Sequence, residues 1–285
     1  MLVHPSHEKI DYLAIGHFSK DLLPDGNYRL GGTAAYAALT AHALGLRVGI
    51  VTSLNEIDLD RRIFPAGLQV CNISSETTTT FENLETPDGR KQRLFEHAAQ
   101  IKFEQVPEAW RRTSILHLGP VAQEVPAQLP SGFSTSLLGL TPQGWMRVWD
   151  ADGNVSPREW SEMEASLNQA GAVVLSAEDV QGNEELIEDI SLASRVLAVT
   201  EGAEGVRLYW NGDLRRFRAP KVDVIDTTGA GDIFAAAFFI RLFSTRDPWE
   251  AARFATCLAS RSVTRRGLAS IPTKEEIQTC QMEVL

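Results

Sequence analysis

Residues 226–239 read DTTGAGDIFAAAFF. Two acids bracket a Thr-Thr-Gly-Ala-Gly core, and an apolar run follows at once. A helix N-terminus presents unpaired N–H groups and about half a positive charge, so it attracts anions. Glycines at 229 and 231 leave the backbone bare enough for close approach. Gly229, Ala230 and Gly231 can therefore offer an arc of donors to a phosphoryl group. Asp232, in the first turn, stands where it can take a proton from an attacking hydroxyl. An anion hole beside a carboxylate suits phosphoryl transfer to an alcohol, because the protein's part in that reaction is to position groups and stabilise charge. The same residues also suit a plain helix start with an acidic first turn. Taken alone, the motif leaves both readings open.

Upstream, short apolar runs alternate with helical stretches: DYLAIG (11–16), LRVGIVTS (46–53), SILHLG (114–119), STSLLGL (134–140), AGAVVLS (170–176) and SRVLAVT (194–200). TAAYAALTAHALG predicts a helix stopped at Gly45, and Ser156-Pro157 predicts the N-cap and N1 of another. Thr273 with Glu276 makes a capping box for a C-terminal helix. Strand and helix in alternation predict an α/β fold with a doubly wound, mostly parallel sheet. Two segments differ in texture. Residues 18–30 are polar around Pro24-Asp25-Gly26, and residues 77–97 carry two β-prone arms around Pro87-Asp88-Gly89. These read as lid segments outside the main sheet of a single domain covering 1–285. GVRLYWNGDLRRFRA reads as a further hairpin closed by Asn211-Gly212.

Apolar residues make up 44% of the 285, enough for a sizeable core, and no apolar run approaches the ~20 residues of a membrane helix. The net charge of −10 argues against nucleic-acid binding, which needs clustered Lys and Arg. The first residues lack the pattern of a secretion leader, so a cytoplasmic location is expected. Cys71, Cys257 and Cys280 are odd in number and far apart, which predicts free thiols and no disulfide framework. His17, His42 and His117 have no metal-site spacing, and Trp145, Trp149 and Trp160 read as packing. No Walker loop is present, which argues against the P-loop kinases.

DTTGAGDIFAAAFF resembles the C-terminal signature of the ribokinase-like (PfkB-type) carbohydrate kinases. LGGTAAYAALTAHALGLRVGIVTS resembles the family's Gly-Gly signature, VTEGAEGVRLY its nucleotide-site strand, and ASRSVTRRGLASIP the loop that closes its C-terminal site. They occur in the family's order over nearly the whole chain. The resemblance implies an ATP-dependent kinase in which Asp232 is the base and Gly229–Gly231 the anion hole. It implies that Asp21, Gly31 and Gly32 meet a sugar, and that Thr200, Gly202 and Gly205 meet the nucleotide. Asp226 and Thr228 would hold a monovalent cation, K⁺.

Three positions depart from the family pattern. Tyr36 stands where an Asn usually contacts sugar hydroxyls, which points to a reshaped pocket and toward the inositol-kinase-like branch. The Asn-x-x-Glu motif becomes Ser176 and Asp179, so Asp179 would organise water around Mg²⁺ through a shorter side chain. Thr141-Pro142-Gln143 replaces an Asp-Pro-Asn-like element, with Arg147 following as a candidate for substrate or phosphate, or as a surface ion pair. The expected acceptor is a small sugar or cyclitol, in a monomer or homodimer. A weakly active or non-catalytic nucleotide or sugar binder of the same fold, and a nucleoside or pyrimidine-alcohol kinase, stay open.

Overall fold

A computed structural model describes residues 8–23, 25–86 and 89–282. In chain order it has β1 (Tyr12–Ile15), β2 (Ser19–Leu22), β3 (Tyr28–Gly31), α1 (Thr33–Ala43), β4 (Val48–Leu54), β5 (Gln69–Ser74), β6 (Thr80–Thr86) and β7 (Gly89–Glu96). Then come β8 (Arg112–Leu118), β9 (Ser134–Leu140), β10 (Arg147–Trp149), β11 (Val155–Pro157), α2 (Met163–Gln169), β12 (Ala172–Ser176) and α3 (Glu184–Ala193). The chain continues with β13 (Val196–Thr200), β14 (Val206–Trp210), β15 (Asp213–Phe217), α4 (Ala230–Thr245), α5 (Pro248–Ser262) and α6 (Lys274–Met282).

The central sheet has nine strands in the order β15-β14-β13-β12-β9-β8-β1-β4-β5. From β13 to β5 the neighbours run parallel, while β14 and β15 turn back antiparallel. Alternate residues of each strand serve opposite faces. Tyr12 and Ala14 join a core with α1, α4, α5 and α6, whereas Leu13 and Ile15 join one with α2 and α3. Burial on both faces is why these strands read as unbroken apolar runs.

The connections leave β1 toward β4 and leave β8 toward β9, so the winding reverses between β1 and β8. Open α/β sheets bind ligands outside the strand C-termini at such a reversal. There Gly16 and Gly119 approach so closely that a Cβ on Gly16 would stand 2.2 Å from the Gly119 carbonyl oxygen. A separate four-stranded sheet, β3-β2-β6-β7, combines an antiparallel β2–β3 pair with a parallel β2–β6 pair. Both expected lid segments lie in it, although Pro24, Pro87 and Asp88 fall outside the described residues.

Local chemistry sets most element ends. Past α1, the Gly45 N–H donates to the His42 carbonyl at 2.9 Å and the Leu46 N–H to that of Ala41 at 3.1 Å, with Gly45 at φ 89°. Asp247 caps α5 through the N–H groups of Trp249 and Glu250. Thr273 and Glu276 form the reciprocal capping box. Two expectations fail. Ser156 and Pro157 lie in β11, paired with β10, and the helix begins only at Met163. Cys257 and Cys280 are joined in a disulfide between α5 and α6, leaving Cys71 as the free cysteine. Helix packing brings both cysteines to one seam, which separation along the chain hides, so the expectation of free thiols fails for this pair. Among the described residues no helix is long and apolar enough to cross a membrane.

Candidate active site

The expected site residues lie at or beyond the C-terminal ends of the parallel strands. Asp21, in β2, comes after β1; Arg147, the first residue of β10, after β9; Asp179 after β12; and Thr200 closes β13. Gly229 caps α4 in the left-handed region, at φ 80° and ψ −4°, without a side-chain cap. A Cβ on Gly229 would stand 2.4 Å from Tyr36 Cε1, so the Tyr36 ring lies directly under the turn. Two constraints therefore demand glycine there: the sign of φ and the ring. The Ala230 N–H is engaged by the Thr227 carbonyl at 3.2 Å, within the arc expected to hold an anion.

Asp232 keeps a partly open side, yet protein atoms crowd it enough that burial raises its carboxyl from 3.8 to about 6. The Thr33 side chain and the positive charge of Arg147 pull it down, while the negative charges of Asp179 and Asp21 push it up. Thr33, Arg147, Asp179 and Asp21 thus all act on the Asp232 carboxylate. Beneath lies a buried chain in which Tyr12 Oη meets His117 Nδ1 at 2.7 Å and His117 Nε2 meets Thr141 Oγ1 at 3.0 Å. Burial holds His117 near 3, so it is a neutral, satisfied core histidine. His17 is likewise bonded through both nitrogens, to Thr79 and Ala99.

A cleft of about 360 Å³ is lined by Asp21, Arg29, Tyr36, Asn83, Asp226 and Thr228, among others. Asn83 donates to Asp21 at 3.3 Å and accepts from Gln92 at 2.8 Å. A Cβ on Gly31 would stand 2.9 Å from Asp21 Oδ2, so that glycine keeps room for the carboxylate. Gly32, at φ 92°, lets α1 start against the His17 carbonyl. Burial, and then the charges of Asp232, Asp21 and Asp226, hold the Tyr36 phenol far above its usual range, so it remains a donor.

Asp179 accepts from Gln143 Nε2 at 2.8 Å and from the Ser176 N–H at 2.9 Å. Each oxygen retains capacity for a water, and no group of three or more His, Cys, Asp or Glu among the described residues could hold a metal. Asp179 therefore fits a Mg²⁺ held through waters and phosphates, not a protein cage. The expected monovalent site does not fit. Asp226 Oδ2 accepts from Arg29 Nη1 at 3.0 Å and the Gly267 N–H at 3.2 Å, and Oδ1 from the Thr228 N–H at 3.0 Å. Burial works against its charge, but the Thr228 donors, Gly267 and Arg29 outweigh it and keep the carboxyl below the ordinary value. Gly202 and Gly205 do not line the cleft. They take positive φ in the turn after β13, where a Cβ on Gly205 would meet the Phe217 carbonyl oxygen at 2.0 Å.

Sequence reasoning passed over Thr33, Asn83, Arg29 and Glu124. The buried Glu124 carboxylate accepts N–H groups of His17, Val121 and Ala122, joining the loops after β1 and β8. Its one sequence signal is an acid inside the apolar run VAQEV.

Residues 159–275 match the model of the pfkB family carbohydrate kinases. A fructokinase of Escherichia coli is 25% identical over 93% of this chain and 97% of its own length. A pyrophosphate-dependent kinase in the ribokinase family, solved with a pyrophosphate analog and myo-inositol, superposes with a TM-score of 0.80 at 23% identity, covering 94% of this chain and 99% of its own. Ribokinase of Thermotoga maritima gives 0.70 at 21%, covering 96% and 99%. The ribokinase fold extends over nearly the whole chain, and the stretch that matches the pfkB family carbohydrate kinase model includes the Gly229–Asp232 turn.

Proposed function

We propose that the chain transfers the terminal phosphoryl group of ATP to a hydroxyl of a small sugar or cyclitol. Its relatives are phosphotransferases that act on alcohol groups. The observation that carries the reading is Asp232 itself. A carboxyl raised to about 6, at the start of α4 and beside the Gly229–Gly231 turn, is poised to accept a proton near neutral pH.

Asp21 would anchor the acceptor by taking hydroxyl hydrogen bonds, steadied by Asn83, with the Tyr36 phenol as a donor opposite. Asp232 then removes the proton from the hydroxyl that points at it. The oxygen attacks the terminal phosphorus, and the bond to the leaving phosphate breaks. Backbone N–H groups of the Gly229–Gly231 turn and the charge of Arg147 would stabilise the transferring group. Mg²⁺ held through waters on Asp179 would neutralise the donor phosphates. Thr200, beside Ser176 in the β12–β13 register, would stand on the donor side, with Gly202 and Gly205 shaping the turn that meets the nucleotide. The four-stranded sheet would serve as a lid that limits hydrolysis.

A second reading, with pyrophosphate as donor, is favoured by the higher superposition on the pyrophosphate-dependent kinase than on ribokinase. One assay addresses both. Purified chain with Mg²⁺ and either donor is offered sugars, cyclitols and nucleosides, and the phosphorylated acceptor is measured. Acceptor-dependent product with ATP supports the proposal, and product with pyrophosphate alone transfers it to the second reading. No product with any acceptor and either donor, despite acceptor binding, leaves a binding protein of this fold.

A further inference from the structure

Arg29 belongs to β3 and faces Asp21 in the β2–β3 register, yet its Nη1 reaches Asp226 across 197 residues of sequence. Its stem runs along the loop after α5, with Cδ 3.6 Å from where a Cβ on Gly267 would lie. The Gly267 N–H shares the Asp226 oxygen that Arg29 holds. One carboxylate thus ties together the four-stranded sheet, the Gly267 loop and the turn that opens α4.

An alkali cation bound directly to Asp226 would sit beside a guanidinium and compete with the three N–H donors already on that carboxylate. Two like charges held that close in a partly buried setting repel each other. We propose that Arg29 is a positioning residue whose ion pair with Asp226 takes the place of a monovalent cation beside the anion turn, making the protein independent of K⁺ while anchoring the lid sheet to that turn. The kinetic part of this proposal rests on the phosphotransferase reading; the binding part does not.

The test uses the full chain in KCl, NaCl and tetramethylammonium chloride at equal ionic strength, reading thermal unfolding and initial rates. Wild type should unfold within about 1 °C in all three salts. Its rates should agree within about twofold, less than 0.5 kcal/mol of barrier. Arg29→Gln should unfold several degrees lower and lose about tenfold in rate, roughly 1.4 kcal/mol. K⁺, but not tetramethylammonium, should restore part of both, which loss of a merely structural contact would not allow. Arg29→Lys should keep the indifference to salt. Wild type stabilised by K⁺ by more than about 2 °C, or accelerated more than about fivefold, overturns the proposal. So does an Arg29→Gln protein that is as indifferent to K⁺ as wild type. If Arg29→Gln does not fold, the wild-type and Arg29→Lys salt series decide. Absence of turnover with any acceptor would sink the kinase reading while the unfolding series still judges the ion pair.

Discussion

Asp232 carries two linked consequences of its surroundings. A base works only when deprotonated, so with a carboxyl near 6 the rate should rise with pH to a plateau, falling to half near pH 6. Its folded value lies above the unfolded 3.8, so the folded state binds the proton more tightly. The charge therefore costs stability as pH rises from 3.8 through about 6, and that cost persists above. Asp232→Asn should raise Tm above pH 6, with the gain vanishing below 3.8, in unfolding scans across pH. A Tm lowered at neutral pH would mean that the burial is compensated by contacts stronger than those of Thr33 and Arg147. Gly229→Ala is the opposite case. The left-handed φ and the Tyr36 ring should cost about 1–3 kcal/mol in denaturant unfolding, and the misplaced turn should depress kcat. Tyr36→Phe keeps that ring and removes the hydroxyl. It should raise the acceptor KM by about fivefold with the donor KM unchanged, since a lost hydrogen bond is worth about 1 kcal/mol. A shift in the donor KM alone would move Tyr36 out of the acceptor pocket.

Among the elements, the seam of α5 and α6 is stapled by Cys257–Cys280, which closes 23 residues. A loop of that size removes about 3 kcal/mol of unfolded-chain entropy on the chain-entropy account. Cys280→Ser should lower stability by up to that amount in urea unfolding, and reductant should do the same to wild type. Equal stability with and without reductant would contradict the staple. This seam also shows what the sequence hides. Parallel strands are legible because burial on both faces leaves unbroken apolar runs, and Asn211-Gly212 is legible because a tight hairpin needs two positive φ values, here 52° and 81°. Ser156-Pro157 misleads because local capping chemistry loses to pairing with β10, whose partner residues lie about ten positions upstream. The Arg29–Asp226 pair and the β2–β6 pairing depend on contacts far apart in sequence, which no local pattern records. Asp232 and the Gly229–Gly231 turn were visible as a motif. Thr33 and Asn83, which tune that carboxylate and steady Asp21, were not, because a lone Thr or Asn carries no spacing.

At the scale of the molecule, the proposed function places the chemistry where the sheet reverses its winding. The loops after β1, β8, β9 and β12 converge there, with the start of α4 closing the ring and the four-stranded sheet beside it. On the proposed reading this architecture would separate acceptor from donor, with Asp21 and Tyr36 beside the four-stranded sheet and Asp179 and Thr200 at the ends of β12 and β13. The central claim is that phosphoryl transfer passes through Asp232, and the most direct measurement is the pH dependence of acceptor phosphorylation by wild type and Asp232→Asn with matched donor. The account predicts a wild-type rate that climbs through about pH 6 to a plateau. It also predicts an Asn variant slower by about 10² or more, in which that rise is gone. An Asn variant that keeps both the wild-type rate and the same rise would contradict it.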